Sequence, residues 1–337
     1  MEMRRLGRSG LKVSALGFGT MTFGGEGFFA PVGNTQVEEA RRQIDVCLEA
    51  GINLFDTADV YSVGGSESIL GQALGARRKD VLIATKVFGR MGQGPNDVGL
   101  SRPHILEACE RSLRRLGTDY IDIYQAHCFD SLTPVEETLR AFDDLVRAGK
   151  VRYIGCSNYS GWHLMKALGI SEREGFERFA SEQIYYSLAG REAERELIPL
   201  ALDQGVGVVV WSPLAFGFLS GKYHRGEPRP EGARLAQMDV LELRDEAKVY
   251  DILDVLAEIA AARGVSVPQV ALNWVSRRPA VSSVLVGART ERQLRDNLAA
   301  LTWQLSEEEM RRLNEASASP FAYPYWHQRR FGAERNP

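Results

Sequence analysis

Long apolar runs are missing from this chain of 337 residues. No segment approaches the roughly 20 apolar residues that cross a bilayer as a helix, and residues 1–19 hold no apolar core of the kind that marks a secretory signal. Cysteine is scarce: Cys47, Cys109, Cys128 and Cys156 stand far apart, with no Cys-x-x-Cys pair. That spacing argues against a zinc site or a dithiol redox motif, and it fits a reducing compartment. A cytoplasmic location is expected, with no metal. An excess of one charge is lacking as well. With 41 Lys and Arg against 44 Asp and Glu, the net charge of -3 gives no electrostatic case for nucleic acid or an anionic membrane surface.

What is present is a regular alternation. Short runs rich in β-branched and aromatic residues, read as strands buried on both faces, fall at 15–19, 52–55, 81–86, 121–127, 153–157, 180–184, 207–211 and 283–287. Between them lie helical patterns at 36–50, 65–74, 102–116, 134–148, 161–168, 193–204, 250–262 and 291–299. Ser101 with Pro103, and Thr133 with Pro134, read as helix starts, and Gly51 and Gly149 as helix stops. Eight strand–helix units without a break predict an α/β fold, a (β/α)8 TIM barrel formed as one domain over 1–337. A doubly wound open sheet is the competitor. It usually carries a glycine fingerprint for nucleotide phosphates, and Gly17-Phe-Gly19-Thr-Met-Thr-Phe-Gly24-Gly25 does not match one. Residues 3–13, with the turn Gly7-Arg-Ser-Gly10, predict an N-terminal β-hairpin. The long segment 212–247, rich in Gly, Pro and Arg, leaves the C-terminal end of the seventh barrel strand, where such loops are functional.

Four polar side chains sit at or just past the C-terminal ends of neighbouring strands: Asp56, Tyr61, Lys86 and His127. Singly, each has an ordinary structural explanation: a turn cap, loop packing, a surface lysine, a satisfied core histidine. Together at one barrel mouth they form a chemical group. Lys86 beside Tyr61 favours the phenolate and is expected to lower a phenol pKa of about 10. Asp56 keeps Lys86 charged, and His127 orients a carbonyl oxygen. This is apparatus for protonating an oxygen.

The stretch Gly51-Ile-Asn-Leu-Phe-Asp-Thr-Ala-Asp-Val-Tyr61, followed by Gly65-Ser-Glu67, resembles the signature of the aldo-keto reductase superfamily. Further motifs follow in that family's order. They are residues 81–86, Asp119-Tyr-Ile-Asp-Ile-Tyr-Gln-Ala-His127, Gly149-Lys-Val-Arg-Tyr-Ile-Gly-Cys-Ser-Asn158, Ser181-Glu-Gln183, Trp211-Ser-Pro-Leu214, Gly217-Phe-Leu-Ser-Gly-Lys222 and Gly287-Ala-Arg-Thr290. The match runs from the N-terminal hairpin to about Leu313. It implies NADPH-dependent reduction of an aldehyde or ketone, with Asp56, Tyr61, Lys86 and His127 catalytic and Tyr61 the general acid.

The resemblance also supplies a cofactor, NADPH in preference to NADH, and the residues that hold it. Thr20, Asp56, Ser157, Asn158 and Gln183 match the nicotinamide end, with Trp211 the aromatic on which the ring stacks. Ser212, Pro213, Leu214 and Lys222 match the pyrophosphate loop. Gly287, Arg289, Gln293 and Asn297 match the adenosine end, where a guanidinium suits a ribose 2′-phosphate. Expected substrate contacts are Met21, Phe88 and Phe129. Thr22, Phe23, Tyr323, Tyr325 and Trp326 are further candidates, the last three serving equally well as tail anchors. The partner is a small carbonyl compound.

Potassium-channel β subunits are also similar, through Asn53-Leu-Phe-Asp-Thr-Ala, Gly99-Leu-Ser-Arg and Trp211-Ser-Pro-Leu-Ala. That likeness implies the alternative of a nucleotide-binding regulatory protein. His127, where those subunits carry Asn, favours the enzyme. A third alternative is a barrel aldolase with Lys86 as a Schiff-base nucleophile. The oligomeric state and the substrate's identity are not legible.

Overall fold

The hairpin strands β1 (Met3–Arg5) and β2 (Lys12–Ser14) pair antiparallel and lie outside the main sheet. A computed structural model describes residues 1–231, 233, 235 and 246–332. Eight parallel strands then close on themselves: β3 (Leu16–Gly19), β4 (Leu54–Asp56), β5 (Leu82–Val87), β6 (Ile121–Ala126), β7 (Val151–Ser157), β8 (Phe179–Tyr185), β9 (Gly207–Trp211) and β10 (Val281–Val286), with β10 pairing back onto β3.

Helices wrap the barrel: α1 (Val37–Glu49), α2 (Gly65–Leu74), α3 (Arg102–Leu116), α4 (Val135–Arg147), α5 (Gly161–Glu174), α6 (Leu197–Gln204), α7 (Glu246–Arg263), α8 (Val267–Ser276), α9 (Glu291–Leu298), α10 (Glu307–Ala316) and α11 (Tyr325–Gly332). The (β/α)8 architecture and the hairpin are as the sequence predicts. The predicted cap at Ser101 differs in detail. Ser101 occupies the N-cap position with extended backbone, but its hydroxyl makes no capping bond. Thr133 instead donates its hydroxyl to Asp130 at 2.8 Å, and Pro134 is the residue at the helix boundary.

Period-two alternation sorts each strand into residues facing the helices and residues facing the barrel axis. The axial residues Leu54, Ala84, Ile123, Val209 and Leu285 form a small apolar cluster, closed from below by Leu6 and Val13 of the hairpin. The larger core lies between strands and helices. Two residues further along, the same faces present Asp56, Lys86, Gln125 and Trp211. The apolar layer is therefore the floor on which a polar layer stands. The hairpin fits tightly: the Arg8 amide donates to Gly205 O at 2.8 Å, and a Cβ on Gly7, which has φ +58, would lie 2.3 Å from that same oxygen.

Candidate active site

The polar layer is anchored on one ion pair. Lys86 Nζ donates to Asp56 Oδ1 at 2.5 Å and to the Thr57 carbonyl at 2.7 Å, and its third donor direction reaches Tyr61 Oη at 3.5 Å. The lysine is fully buried and Asp56 nearly so. Asp56 Oδ2 accepts from Gln183 Nε2 at 2.8 Å and from Gln125 Nε2 at 3.3 Å, so both carboxylate oxygens are satisfied. Burial works against the charge on Lys86, but Asp56 and the Tyr61 hydroxyl outweigh it and hold the ammonium above its usual range. An ammonium so held is a poor amine nucleophile, which counts against Schiff-base chemistry.

Tyr61 is delivered by the loop after β4. Its ring stands edge-on to His127, with centroids 5.7 Å apart, and Lys86 Nζ lies 5.0 Å from the ring centre. Ser62 and Val63, directly after it, have φ of 49° and 54°, a left-handed pair that turns the chain sharply back toward α2. For β-branched Val63 that conformation is strained, which the surrounding contacts must overcome. The sequence-based expectation for the tyrosine acidity is corrected here. Burial is the largest influence and raises the phenol; Lys86 pulls down less strongly, leaving the hydroxyl above its ordinary value. Tyr61 therefore stands as a neutral O–H donor across the physiological range.

His127 follows the end of β6, its amide donating to Val87 O at 3.0 Å. Burial and, second, the Lys86 charge push its imidazole down to about 3. It is a neutral hydrogen-bonding group. Beside it, Asn158, at φ 57°, donates from Nδ2 to His127 O at 2.9 Å and to Ser157 Oγ at 3.0 Å, and accepts from Trp211 Nε1 at 3.2 Å. Ser157 Oγ in turn donates to Gln183 O at 2.9 Å.

All of this opens into a cavity of about 840 Å³. Its wall includes Met21, Thr22, Phe29, Asp56, Tyr61, His127, Asn158, Gln183 and Trp211, then Ser212, Pro213, Leu214, Phe216 and Lys222 of the loop after β9, and Gly287, Arg289, Gln293 and Asn297 after β10. The loop after β9 is tight: Ser212, Ala215 and Phe216 all have positive φ, and Ser212 Oγ accepts from the Phe216 amide at 2.8 Å. After β10, Thr290 caps α9 by accepting from the Gln293 amide, and Gln293 Oε1 accepts from the Arg289 amide at 3.0 Å. Of the predicted wrapping segment 212–247, residues 232, 234 and 236–245 lie outside the described residues.

Several sequence expectations are corrected. Thr20 is buried, donating to Asp56 O at 3.1 Å and paired with Ser66 Oγ at 2.8 Å, and takes no part in the cavity wall. Phe88 packs on the hydrophobic core. Phe129 stacks on His163, ring centroids 3.5 Å apart, and neither phenylalanine lines the cavity. Phe23 is core, against Phe18. Tyr325 hydrogen-bonds Glu196, and Tyr323 and Trp326 are exposed beside it, so the aromatic tail anchors rather than lines. Among the wall residues that sequence reading misses are the aromatics Phe29 and Phe216, and also Ser266, Pro268, Leu272, Arg292 and Asp296. The two phenylalanines lie in turns whose geometry no periodicity encodes.

The Aldo/keto reductase family model matches residues 15–318. The chain belongs to this family. Among its relatives, a probable voltage-gated potassium channel subunit beta of Arabidopsis thaliana is 40% identical over 89% of this chain and 91% of its own. The uncharacterized oxidoreductase YrpG of Bacillus subtilis is 41% identical over 95% and 97%. Versiconal hemiacetal acetate reductase of Aspergillus parasiticus is 37% identical over 96% and 99%. Membership makes the chain an oxidoreductase of a family that reduces carbonyls with nicotinamide cofactors. The cavity's lining suits such a group: amide and hydroxyl donors, a broad indole face, a lysine and a guanidinium.

Proposed function

We propose that the protein reduces an aldehyde or ketone to an alcohol using NADPH, with Tyr61 as the general acid. The observation that carries this reading is the buried Lys86–Asp56 pair set beneath the Tyr61 hydroxyl, with a neutral His127 alongside. The cofactor, when bound, supplies the hydride for the carbonyl carbon. The chain's own residues handle the oxygen. His127 donates an N–H to the carbonyl oxygen and orients it. Tyr61 passes its phenolic proton to that oxygen as negative charge develops. The ammonium of Lys86 then faces the phenolate left behind, which stabilises it where a neutral neighbour would not.

Ser157, Asn158 and Gln183 are assigned to the nicotinamide amide and Trp211 to its ring face. The Ser212–Leu214 loop and Lys222 are assigned to the pyrophosphate, and Arg289 to the 2′-phosphate that distinguishes NADPH from NADH. Met21, together with Phe29, Trp211 and His127, bounds the space left for substrate.

The likeness to potassium-channel β subunits supports a second reading, a nucleotide-binding regulatory partner. A panel of aldehydes, ketones and sugars, followed by NADPH absorbance at saturating cofactor, separates the two. Turnover of at least one carbonyl class is expected. Tight NADPH binding without turnover of any would favour the regulatory reading.

A further inference from the structure

Residues 24–34 leave the barrel mouth after β3 as a glycine-rich loop whose two ends are stapled together. The Gly24 amide donates to Thr35 O and the Thr35 amide to Thr22 O, both at 3.0 Å. Gly24, Gly25 and Gly27 have φ of +100°, +92° and +59°, and a Cβ on Gly24 would meet the Ser62 side chain at 2.5 Å. The near limb is thereby pressed against the residue next to Tyr61. Ser62 Oγ accepts from the Gly25 amide at 3.0 Å and donates to Phe23 O at 2.8 Å. At the tip a short turn, Gly27–Phe29, points Phe28 outward and Phe29 inward, its ring 5.0 Å from that of Tyr61.

The far limb is held by a cavity residue from beyond β10. Arg289 Nε donates to Val32 O at 2.9 Å and its guanidinium donates again to Pro31 O at 2.7 Å. Arg289 follows β10, the strand that pairs with β3, so the arginine and the loop flank one seam of the barrel. We propose that Phe29 is a specificity-determining residue, the wall that limits the width of what reaches the Tyr61 hydroxyl, and that in the ligand-free protein Arg289 latches the loop that carries it through the Pro31 and Val32 carbonyls. Its meaning for substrates rests on the carbonyl-reductase reading; the latch does not.

A phosphate is a stronger acceptor for a guanidinium than a neutral carbonyl, and it offers two oxygens to the same fork. A phosphate at the adenosine end therefore competes with the loop for Arg289. Binding there loosens the 31–32 limb while the near limb stays bonded to Ser62, and by linkage a loosened limb binds that phosphate more tightly.

Amide hydrogen exchange on the ligand-free protein tests the latch, with α1 as the reference for intact folding. Arg289→Leu is expected to raise exchange across residues 26–32 on the order of tenfold, the loss of charge-assisted bonds to two carbonyls, while α1 is unchanged. Adenosine 2′,5′-bisphosphate should loosen the same peptides in the wild type, and adenosine 5′-monophosphate should not. Unchanged exchange in Arg289→Leu would overturn the latch; no loosening by the bisphosphate would overturn the competition. For specificity, Phe29→Ala should raise the kcat/KM ratio of a diaryl ketone over propanal on the order of tenfold; an unchanged ratio would remove Phe29 from that role. If the wild type turned over no carbonyl, the proposed reduction would fall, while the exchange measurement would still decide the latch.

Discussion

Tyr61, Lys86 and His127 show why a residue's chemistry depends on its burial as much as on its neighbours. Spacing places Lys86 beside Tyr61 and suggests a lowered phenol; only the fold reveals that burial outweighs the ammonium. His127 has the opposite outcome, held neutral down to about 3. Since its folded value lies below the ordinary 6.5, the unfolded chain takes up a proton that the folded one refuses. Stability from this group is complete above pH 6.5 and is lost as pH falls toward 3. The kcat/KM profile of the free enzyme should show no inflection near pH 6.5; one there that vanishes in His127→Asn would contradict a neutral imidazole. Lys86→Met leaves the Asp56 carboxylate buried without its counter-ion, which costs about 3–5 kcal/mol. Denaturant melts should show that loss, and Lys86→Met combined with Asp56→Asn should recover most of it.

At the scale of elements, the strands were legible wherever a short apolar run had clear punctuation, and β9 falls at the residues read from the sequence. The sequence pattern puts the second barrel strand at 52–55, but it runs Leu54–Asp56, because Ile52 still closes α1, its amide donating to Cys47 O at 2.9 Å. Asn53 likewise serves the hairpin, its Oδ1 accepting from the Ser14 amide at 2.7 Å. Helix α8 escaped because it is buried on every side from Gln269 to Ser276, leaving no polar face to mark a period. Helix α10 carried a readable signal, the capping box of Ser306 and Glu309, that apolar periodicity alone does not detect. The hairpin offers a test at this scale. Gly7→Ala requires a left-handed alanine and a Cβ against Gly205, so it should lower the melting midpoint by more than about 1 kcal/mol in stability. Activity per folded molecule should not change, since the barrel floor lies below the site.

Across the whole molecule, barrel closure does what no local pattern does. It carries Asp56, Lys86, His127, Gln183 and Trp211 from five different strand ends to one mouth, and brings residues 24–34 to Arg289 across the seam. The polar end of the site was legible because its residues sit at strand ends; the Phe29 wall was not, because a loop's path depends on turns rather than on period. Cofactor choice belongs to this scale. If Arg289 grips a 2′-phosphate, Arg289→Leu should weaken NADPH binding by about tenfold to a hundredfold, the worth of a charge-assisted pair, with NADH affinity nearly unchanged. Equal losses for both cofactors, measured by fluorescence titration, would assign Arg289 to the loop alone. The central claim is that Tyr61 protonates the substrate oxygen, and the direct measurement is single-turnover reduction by Tyr61→Phe beside the wild type. The expected result is a rate lower by about 10²–10⁴-fold, the range for a positioned acid, with NADPH affinity retained. A Tyr61→Phe enzyme that reduced its carbonyl at the wild-type rate would contradict the account.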